Sequence, residues 1–269
     1  ENMARDAALT RWVSDAVERA RAAGGSDESG VDHELPAYLR FYSWSRPTLS
    51  FGRNEPSRER FNAETLAEAG VDVVRRPTGG RAVLHDREVT YAVVVPDRLL
   101  GGPRESYRAI HAALAQGLSR LGVDVDLAPD RPAASPDAGP CFDLPAGGEV
   151  VALGRKLVGS AQARLGRALL QHGSILIQDD QNRIPELATS GTFSGDDPAR
   201  SRPAALADLL DPTPSVAAVV SRVITAMAGS LPGIWPAGLA PPNGAVADVF
   251  TDLEQTIERF ERTDWTWRR

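Results

Sequence analysis

The sequence predicts an α+β protein in which largely antiparallel strands are flanked by helices. Apolar residues recur at helical spacing near both ends of the chain and in its middle. Between these helices lie short runs of β-branched or alternating residues, and glycine turns join three such runs in succession. A chain of 269 residues, 42% of them hydrophobic, is long enough for one large domain with a small appendage.

The first half of the chain predicts two helices and four strands around a glycine-containing loop. The opening helix places Leu9, Val13 and Val17 on one face and ends before Gly24. Pro47 lies in the turn of an expected antiparallel strand pair, and a short helix then leads to the strands that flank the loop. In chain order these are a helix at 3–23, strands at 37–44 and 48–51, a helix at 61–69, and strands at 71–74 and 90–95.

The second half predicts a helix, a strand, a proline-rich loop, a three-strand meander and two terminal helices. Three prolines within 130–140 exclude a helix or a central strand there, so we expect a surface loop that ends at Cys141. Glycine turns then join the strands of the meander. The segments are a helix at 104–121, a strand at 123–127, the meander at 149–153, 156–165 and 168–177, helices at 215–228 and 246–260, and a proline-rich connector at 232–242.

Composition excludes several classes of protein. No run approaches the roughly 18 apolar residues of a membrane span and no signal-peptide pattern opens the chain, so we expect a cytoplasmic protein without membrane contacts. The single cysteine excludes an internal disulfide framework, and no ligand cluster indicates a metal. A net charge of −6 argues against nucleic-acid binding.

The loop that follows the strand at 71–74 has the sequence Arg-Arg-Pro-Thr-Gly-Gly-Arg-Ala-Val-Leu-His-Asp and begins at Arg75. Gly79 and Gly80 allow a ligand to approach the main chain closely, and the arginines beside them suit a phosphate or a polarised carbonyl group. The alternative is a glycine hairpin with solvated arginines. No Lys-Ser/Thr pair follows the glycines, so the loop is not a P-loop.

Cys141 and Lys156 are the most specific candidates for catalysis. Lys156 is the only lysine among 30 basic residues, which indicates a position that the planar guanidinium of arginine does not suit. An ammonium beside a thiol favours the thiolate, which is the nucleophilic form. Cys141 therefore becomes a candidate nucleophile that needs no histidine base, the alternative being an inert, buried cysteine.

Two motifs in the meander supply further candidates. Backbone N–H groups of Gly159-Ser160-Ala161 and His172-Gly173 can hold a developing oxyanion, or their small residues can serve only close sheet packing. His85 and His172 can orient a substrate or carry a proton, whereas a structural role is the alternative for each.

These motifs resemble the biotin/lipoate A/B protein ligase superfamily, and most closely its cysteine-dependent octanoyltransferases of protein lipoylation. The resemblance rests on the arginine-glycine loop, on Cys-Phe-Asp at 141–143, on Gly-Arg-Lys-Leu-Val-Gly-Ser-Ala-Gln and on Leu-Gln-His-Gly-Ser-Ile-Leu. The ATP-dependent ligases usually carry a third glycine where this chain has Arg81, which favours the acyltransferase branch. The implied fold is a mixed, largely antiparallel sheet with helices on one side, in a catalytic domain at 1–230 with a connector and helix at 231–269 packed on it.

The resemblance also implies roles for named residues. Cys141 matches the acyl-thioester position and Lys156 the lysine that favours the thiolate. The residues that match the substrate-binding walls are Arg75, Arg76, Gly79, Gly80, Arg81, His85, Gly159, Ser160, Ala161, His172 and Gly173. We also expect Val83, Leu84, Leu157 and Val158 to line a tunnel for the acyl chain, and arginines to form a docking surface at Arg81, Arg87, Arg155, Arg164 or Arg167.

The activity implied is transfer of octanoate from acyl carrier protein, through a cysteine thioester, to a lysine of a lipoyl-domain protein. The acceptors would be lipoyl-bearing subunits of 2-oxoacid dehydrogenases or the glycine cleavage H protein. No cofactor is expected, and no ATP, because a thioester is already activated. Three alternatives stay open: an ATP-dependent lipoate–protein ligase, octanoyl transfer between two lipoyl proteins, and a non-catalytic module that binds acyl groups or carriers.

Overall fold

The computed structural model describes residues 1–23, 35–130, 141–142, 145–190, 192, 202–230 and 253–268. Within these ranges the predicted α+β class is confirmed, because helices flank three β-sheets in which antiparallel pairs predominate. Residues 131–140 of the loop expected at 130–140, and the connector expected at 232–242, lie outside the described residues.

The helices are α1 (Asn2–Ala22), α2 (Ala63–Glu68), α3 (Pro103–Ser119), α4 (Ile184–Leu187), α5 (Leu206–Leu209), α6 (Val216–Ser230), α7 (Leu253–Glu261) and α8 (Thr263–Thr266). The strands are β1 (Tyr38–Tyr42), β2 (Thr48–Phe51), β3 (Asp72–Arg75), β4 (Val83–His85), β5 (Glu88–Pro96), β6 (Asp126–Leu127), β7 (Val150–Ala152), β8 (Arg155–Lys156), β9 (Val158–Leu165) and β10 (Ala168–Leu176).

The central sheet has four antiparallel strands in the order β1-β5-β10-β9. β5 and β10 are buried along their whole length, as their apolar sequences require. Their register places Gly173 opposite Tyr91 on one side and opposite Ser160 on the other. The two glycine-containing motifs of the meander therefore lie on neighbouring strands.

Helices cover both faces of the central sheet. Side chains alternate along a strand, so Ala92 and Val94 of β5 face α1, where they pack with Val13. Val93 and Val95 face the other way, into the larger core beneath α3 and α6. The expectation of helices on one side is therefore wrong, because the apolar stripe of α1 covers the face that α3 leaves open.

The second sheet contains β2 between β3, which runs parallel to it, and β4, which runs antiparallel. A parallel pair needs a crossover connection, and α2 lies in that connection. The expected hairpin of β1 with β2 is wrong, because β1 pairs with β5 in the central sheet. β2 instead buries Leu49 and Phe51 in a separate core with Phe61 and Leu66.

The third sheet is small, and it divides the predicted meander. β7 pairs with β6 and β8, whereas β9 pairs with β10 in the central sheet. The predicted strand at 156–165 is therefore two strands, which separate at Leu157. Lys156 consequently lies where the chain leaves one sheet and enters the other.

The C-terminal helices pack on the same body as α1. Phe260 of α7 shares a hydrophobic cluster with Met3 and Ala4 of α1. None of the helices in the described ranges is long and apolar enough to span a membrane.

Candidate active site

Cys141 and Lys156 are direct neighbours. Cys141 is half-buried, and its backbone N–H donates to the carbonyl oxygen of Ala82 over 3.2 Å. The ε-nitrogen of Lys156 lies 3.6 Å from Sγ of Cys141 and donates to its carbonyl oxygen over 2.9 Å. The structure thus brings together the two residues on which the predicted nucleophile depends.

Glu149 holds the same lysine from the other side. Its Oε1 lies 2.8 Å from Nζ of Lys156, and the two side chains are only 3% and 2% exposed. Burial by itself would lower the pKa of Lys156, but the charges of Cys141 and Glu149 outweigh it and leave that pKa raised. The ammonium therefore stays charged beside the sulfur.

Sequence reasoning did not identify Glu149, although a signal was present. Val151 is paired with Lys156 across the short β7–β8 turn. Glu149 precedes Val151 by two residues, so it projects from the same face and is the diagonal neighbour of the lysine.

A narrow cavity adjoins the sulfur. Its lining residues are Met3, Arg76, Val83, His85, Thr90, Cys141, Gly159, Ser160, Ala161, His172, Gly173 and Ser174. Its volume is about 20 Å³, which is room for little more than a water molecule, so an eight-carbon chain would need it to widen. Of the four apolar residues expected to line a tunnel, Val83 does so, whereas Leu84, Leu157 and Val158 are buried in the two larger cores.

The position of Arg75 corrects its predicted role. Arg75 is completely buried and does not line the cavity with its neighbour Arg76. Its guanidinium donates to Ser57 Oγ and to the backbone carbonyls of Gly52, Arg53, Glu55, Trp265 and Thr266. Arg75 therefore fastens the C-terminal segment to the loop after β2.

Arg76 lines the cavity and holds the loop that contains Gly79 and Gly80 in place. Its Nη1 donates to the backbone oxygen and Oγ of Ser50 over 2.8 and 2.6 Å, and its Nη2 donates to the carbonyls of Gly79 and Arg81 over 3.2 and 2.8 Å. Burial lowers the pKa of Arg76, an effect that the charge of Cys141 opposes. The buried Arg76 and Cys141 therefore line the same cavity.

Gly79, Gly80 and Arg81 do not line the cavity, but each of them adjoins a residue that does. Gly80 has a positive φ of 94°, and a Cβ on Gly52 would lie 1.8 Å from the carbonyl oxygen of Gly80. The loop therefore folds tightly against Gly52. Arg81 is buried, and its Nη2 lies 3.5 Å from the carbonyl oxygen of Cys141.

His85 belongs to a buried polar network. Its Nδ1 lies 2.7 Å from Oε1 of Glu88, its Nε2 lies 2.6 Å from Oγ of Ser50, and its ring stacks on Trp44 at 4.4 Å. Ser174 also donates to Glu88 over 2.8 Å. His85 thus lines the cavity with its ring while both nitrogens are engaged.

Both ring nitrogens of His172 are also engaged. Its Nε2 lies 2.7 Å from Oγ1 of Thr78, and its Nδ1 lies 3.1 Å from Oδ2 of Asp6, which also pairs with Arg40. Burial lowers the pKa of His172, although Asp6 opposes the shift. Sequence reasoning did not identify Asp6, since it lies 166 positions away along the chain.

Ser160 is bonded to two groups that were not predicted. Its Oγ lies 2.7 Å from the hydroxyl of Tyr91 and 2.8 Å from Nε2 of His111. Nδ1 of His111 lies 2.8 Å from the carbonyl oxygen of Gly148. Burial lowers the pKa of His111 to about 3, so this ring is neutral at pH 7.

The expected docking arginines are mostly engaged elsewhere. Arg87 pairs with Asp180 and Arg164 with Asp97, and Arg155 donates to the carbonyl of Pro203 over 3.4 Å. A larger cleft, of about 270 Å³, lies between α1 and the C-terminal helices. Its lining includes three exposed arginines: Arg11, Arg53 and Arg259.

Comparison with known proteins shows which family this chain is similar to. The family model of the lipoyl protein ligase A/B catalytic domain matches residues 2–228. A relative from Kyrpidia tusciae, an octanoyltransferase of the LipM type, is 48% identical over 159 residues, which are 56% of this chain and 58% of the relative. A Bacillus subtilis relative of the same name is 37% identical over 195 residues, or 69% of this chain and 64% of the relative. The chain thus spans less than two thirds of the length of these relatives.

Solved structures share the fold at low sequence identity. A lipoate–protein ligase A bound with ATP superposes with a TM-score of 0.71 at 19% identity, covering 98% of this chain and 92% of the other. A lipoate protein ligase from T. acidophilum with bound lipoic acid gives 0.70 at 20% identity, covering 100% and 93%. These likenesses confirm the predicted fold.

Proposed function

Since the chain belongs to the lipoyl protein ligase A/B catalytic-domain family, we propose that it transfers octanoate from acyl carrier protein to a lysine of a lipoyl-domain protein. The observation that carries this proposal is the distance of 3.6 Å between Nζ of Lys156 and Sγ of Cys141, beside a cavity. A charged ammonium at that position favours the thiolate, which is the nucleophilic form of cysteine. No cofactor is required.

In the first step, the Cys141 thiolate attacks the carbonyl carbon of the octanoyl thioester. The bond from that carbon to the carrier's sulfur breaks, and the released thiolate takes a proton from solvent. The product is an octanoyl thioester on Cys141. Covalent catalysis of this kind divides one difficult exchange into two easier attacks.

In the second step, the neutral ε-amine of the acceptor lysine attacks the carbonyl carbon of the acyl-enzyme. The bond from that carbon to Sγ of Cys141 breaks, the nitrogen loses a proton to solvent, and an octanoyl amide is formed. The sulfur returns as a thiolate beside Lys156. The whole cycle consumes one thioester and one amine and needs no ATP.

Each attack on the carbonyl carbon produces a transient oxyanion. The position of β9 suits stabilisation of this oxyanion in both steps. This strand is the outer one of the central sheet, so alternate backbone N–H groups of Gly159, Ser160 and Ala161 point away from β10. A well-placed donor of this type contributes about 3 kcal/mol to the transition state.

The surroundings of Lys156 favour this proposal over an ATP-dependent ligase. In a ligase the lysine would bind the phosphate of an acyl-adenylate. Here its ammonium is 2.8 Å from the buried carboxylate of Glu149, which would repel a phosphate. The buried Arg81 also occupies the place of the third glycine that ligases usually have.

The large cleft is our proposed docking site for the acidic carrier. Arg11, Arg53 and Arg259 are exposed around it, and the described residues provide no ion pair for any of the three. The cleft also includes Pro77, whose neighbour Arg76 lines the cavity of Cys141. A positively charged rim would attract an acidic partner despite the net charge of −6.

An assay with two pairs of substrates tests the activity. Octanoyl-carrier with an unmodified lipoyl domain should give octanoylated domain without ATP, whereas free octanoate with ATP should give none. Replacing the carrier by an octanoylated lipoyl protein as donor tests transfer between lipoyl proteins. Product that forms only with free acid and ATP would support the ligase instead.

A further inference from the structure

The cavity beside Cys141 is lined by several polar or charged side chains, yet the wall that it presents is almost entirely apolar. Among these side chains are those of Arg76, His85, Thr90, His172 and Ser174. A polar side chain shows an apolar surface to a cavity only where its polar atoms are bonded inside the protein. The hydrogen bonds of these five residues explain the character of the wall.

Glu88 lies behind the wall and binds three of the five. Its Oε1 accepts from Oγ1 of Thr90 over 2.5 Å and from Oγ of Ser174 over 2.8 Å, and it lies 2.7 Å from Nδ1 of His85. Glu88 is only 2% exposed and does not itself line the cavity. Its other oxygen, Oε2, is buried and has no partner among the described residues, so the three contacts converge on one atom.

The surroundings of Thr90 and Ser174 determine where their hydroxyl protons point. The indole N–H of Trp44 can only donate, and it donates to Oγ1 of Thr90 over 2.8 Å, so the proton of Thr90 goes to Glu88. Ser174 has one other side-chain neighbour in the described part of the chain, Nδ1 of His85 at 3.2 Å, which also faces Glu88. Both hydroxyl protons therefore point away from the cavity.

Arg76 and His172 are bonded inside the protein as well. Both terminal nitrogens of Arg76 donate to protein oxygens, and the ring nitrogens of His172 bond to Thr78 and Asp6. A polar group of a ligand that entered this cavity would lose its water and find no partner on the wall. Burial of an unpaired polar group is unfavourable.

The register of the central sheet places Thr90 where an octanoyl chain on Cys141 would end. Gly159, Ser174 and Thr90 pair in one row across β9, β10 and β5. A Cβ on Gly159 would lie 2.5 Å from the ring of Phe142, the residue after Cys141, so the row begins beside the sulfur. Neighbouring strands lie about 4.8 Å apart, so Thr90 is roughly 10 Å along the row. An extended chain of eight carbons, with bonds of about 1.5 Å, is roughly 9 Å long.

We propose that Glu88 is the positioning residue that selects the acyl chain: by binding the protons of Thr90 and Ser174, it keeps the end of the cavity apolar. The enzyme then accepts a plain octanoyl chain and rejects a chain with a polar group on its last carbon. This inference rests on the proposed acyl transfer and names the class of acyl group within it, a chain without a polar substituent at its end.

A competition between two donors tests this selection in the full-length wild type. Octanoyl-carrier and 8-hydroxyoctanoyl-carrier are offered in equal excess without an acceptor, and intact mass spectrometry separates the two adducts, which differ by one oxygen atom. We expect a preference of about thirtyfold for octanoyl, the size expected for one buried, unpaired hydroxyl group. Equal labelling would overturn the inference and leave the acyl-transfer proposal intact. A protein that takes neither chain would refute both.

Glu88→Met tests the role of the carboxylate, because methionine is similar in length but accepts no strong hydrogen bond. The hydroxyl protons of Thr90 and Ser174 could then turn into the cavity and bind a hydroxylated chain, so the preference should fall to about threefold or less. Glu88→Gln keeps an acceptor oxygen and should stay within about threefold of the wild-type preference. Asp97→Asn alters another buried carboxylate, just beyond the other end of β5, and is the matched control with an unchanged preference.

A triple variant separates the loss of the acceptor from looser packing. Glu88→Met combined with Thr90→Val and Ser174→Ala has neither hydroxyl, so the preference should return to at least about tenfold. A triple variant as permissive as Glu88→Met, or a Glu88→Met protein as selective as the wild type, would overturn the role of Glu88. Where Glu88→Met does not fold, a Glu88→Gln protein with a preference below about threefold would overturn it equally.

Discussion

Glu149 and Cys141 share one cation. The ε-nitrogen of Lys156 lies 2.8 Å from Oε1 of the glutamate and 3.6 Å from Sγ of the cysteine. Because Glu149 and Lys156 are almost completely buried, their ion pair fixes the position of the ammonium beside the sulfur. The carboxylate also competes with the sulfur for that positive charge.

Glu149→Gln should therefore increase the reactivity of the thiol. The variant keeps the shape of the side chain but removes a negative charge that disfavours a nearby thiolate. We expect alkylation of Cys141 by iodoacetamide at pH 6 to be faster than in the wild type. The free energy of unfolding should fall by about 3 kcal/mol, because a buried ammonium loses its partner. Slower alkylation would show that Glu149 acts only by holding Lys156 in place.

Lys156→Arg should decrease the reactivity of the thiol. A Cβ on Gly159 would already lie 3.2 Å from Cε of Lys156 and 2.5 Å from the Phe142 ring, so a guanidinium has no equivalent space. We expect alkylation at pH 7 to slow by about tenfold, because the cation that favours the thiolate is displaced. Unaltered alkylation would remove Lys156 from the mechanism.

Arg75→Met should lower stability without changing the chemistry. The substitution leaves several buried carbonyl groups of the loop and the C-terminal segment without a donor, at a cost of about 3 kcal/mol in urea denaturation. Octanoyl loading per folded molecule should be unchanged. Arg222→Met, at an exposed position of α6, is the matched control and should change stability by less than about 0.5 kcal/mol. Loss of loading in a folded Arg75 variant would restore its role in substrate binding.

The neutral His111 predicts a loss of stability in acid. Burial lowers its pKa to about 3, while the unfolded chain titrates near 6.5, so the unfolded state binds more protons between these values. The free energy of unfolding should fall by about 2 kcal/mol from this group alone between pH 6.5 and pH 5. His172, whose pKa is also lowered, acts in the same direction. Denaturation curves of His111→Gln should show a smaller decrease, and an equal decrease would contradict the assignment.

Gly173→Ala and Gly229→Ala should have opposite effects. At position 173 the added methyl group meets backbone and side-chain atoms at 2.4–2.9 Å, which should cost about 1–3 kcal/mol. At position 229, in α6, nothing lies within 4 Å, so alanine should stabilise the helix by about 0.5–1 kcal/mol. Equal effects in thermal denaturation would show that packing around Ser160 is looser than the structure indicates.

The sequence predicted the parts of the site that local patterns encode. The unique lysine, the loop glycines and the small residues of the meander each carry a signal within a few positions. The structure places the lysine beside Cys141 and the small residues on the cavity. The partners behind them were not predictable in the same way. Asp6 reaches His172 from 166 positions away, and His111 is one of many residues on an apolar helix face.

The strand partner of β1 and the position of Arg75 show a second limit of prediction from sequence. Two strands separated by a short turn predict a hairpin, but β1 gains a longer, fully buried partner in β5. Arg75 lies beside Arg76 in a motif that suggests ligand binding, yet successive strand residues point to opposite sides. One arginine therefore faces the cavity, and the other faces the C-terminal segment.

Intact mass spectrometry can show whether Cys141 carries the octanoyl group as a thioester. The wild-type protein is incubated with octanoyl-carrier alone, without ATP or an acceptor. The Cys141→Ala variant is treated in the same way in a parallel sample. We expect one octanoyl adduct on the wild type and none on the variant. A wild type that stays unmodified, or a variant that is modified equally, would contradict a thioester at Cys141.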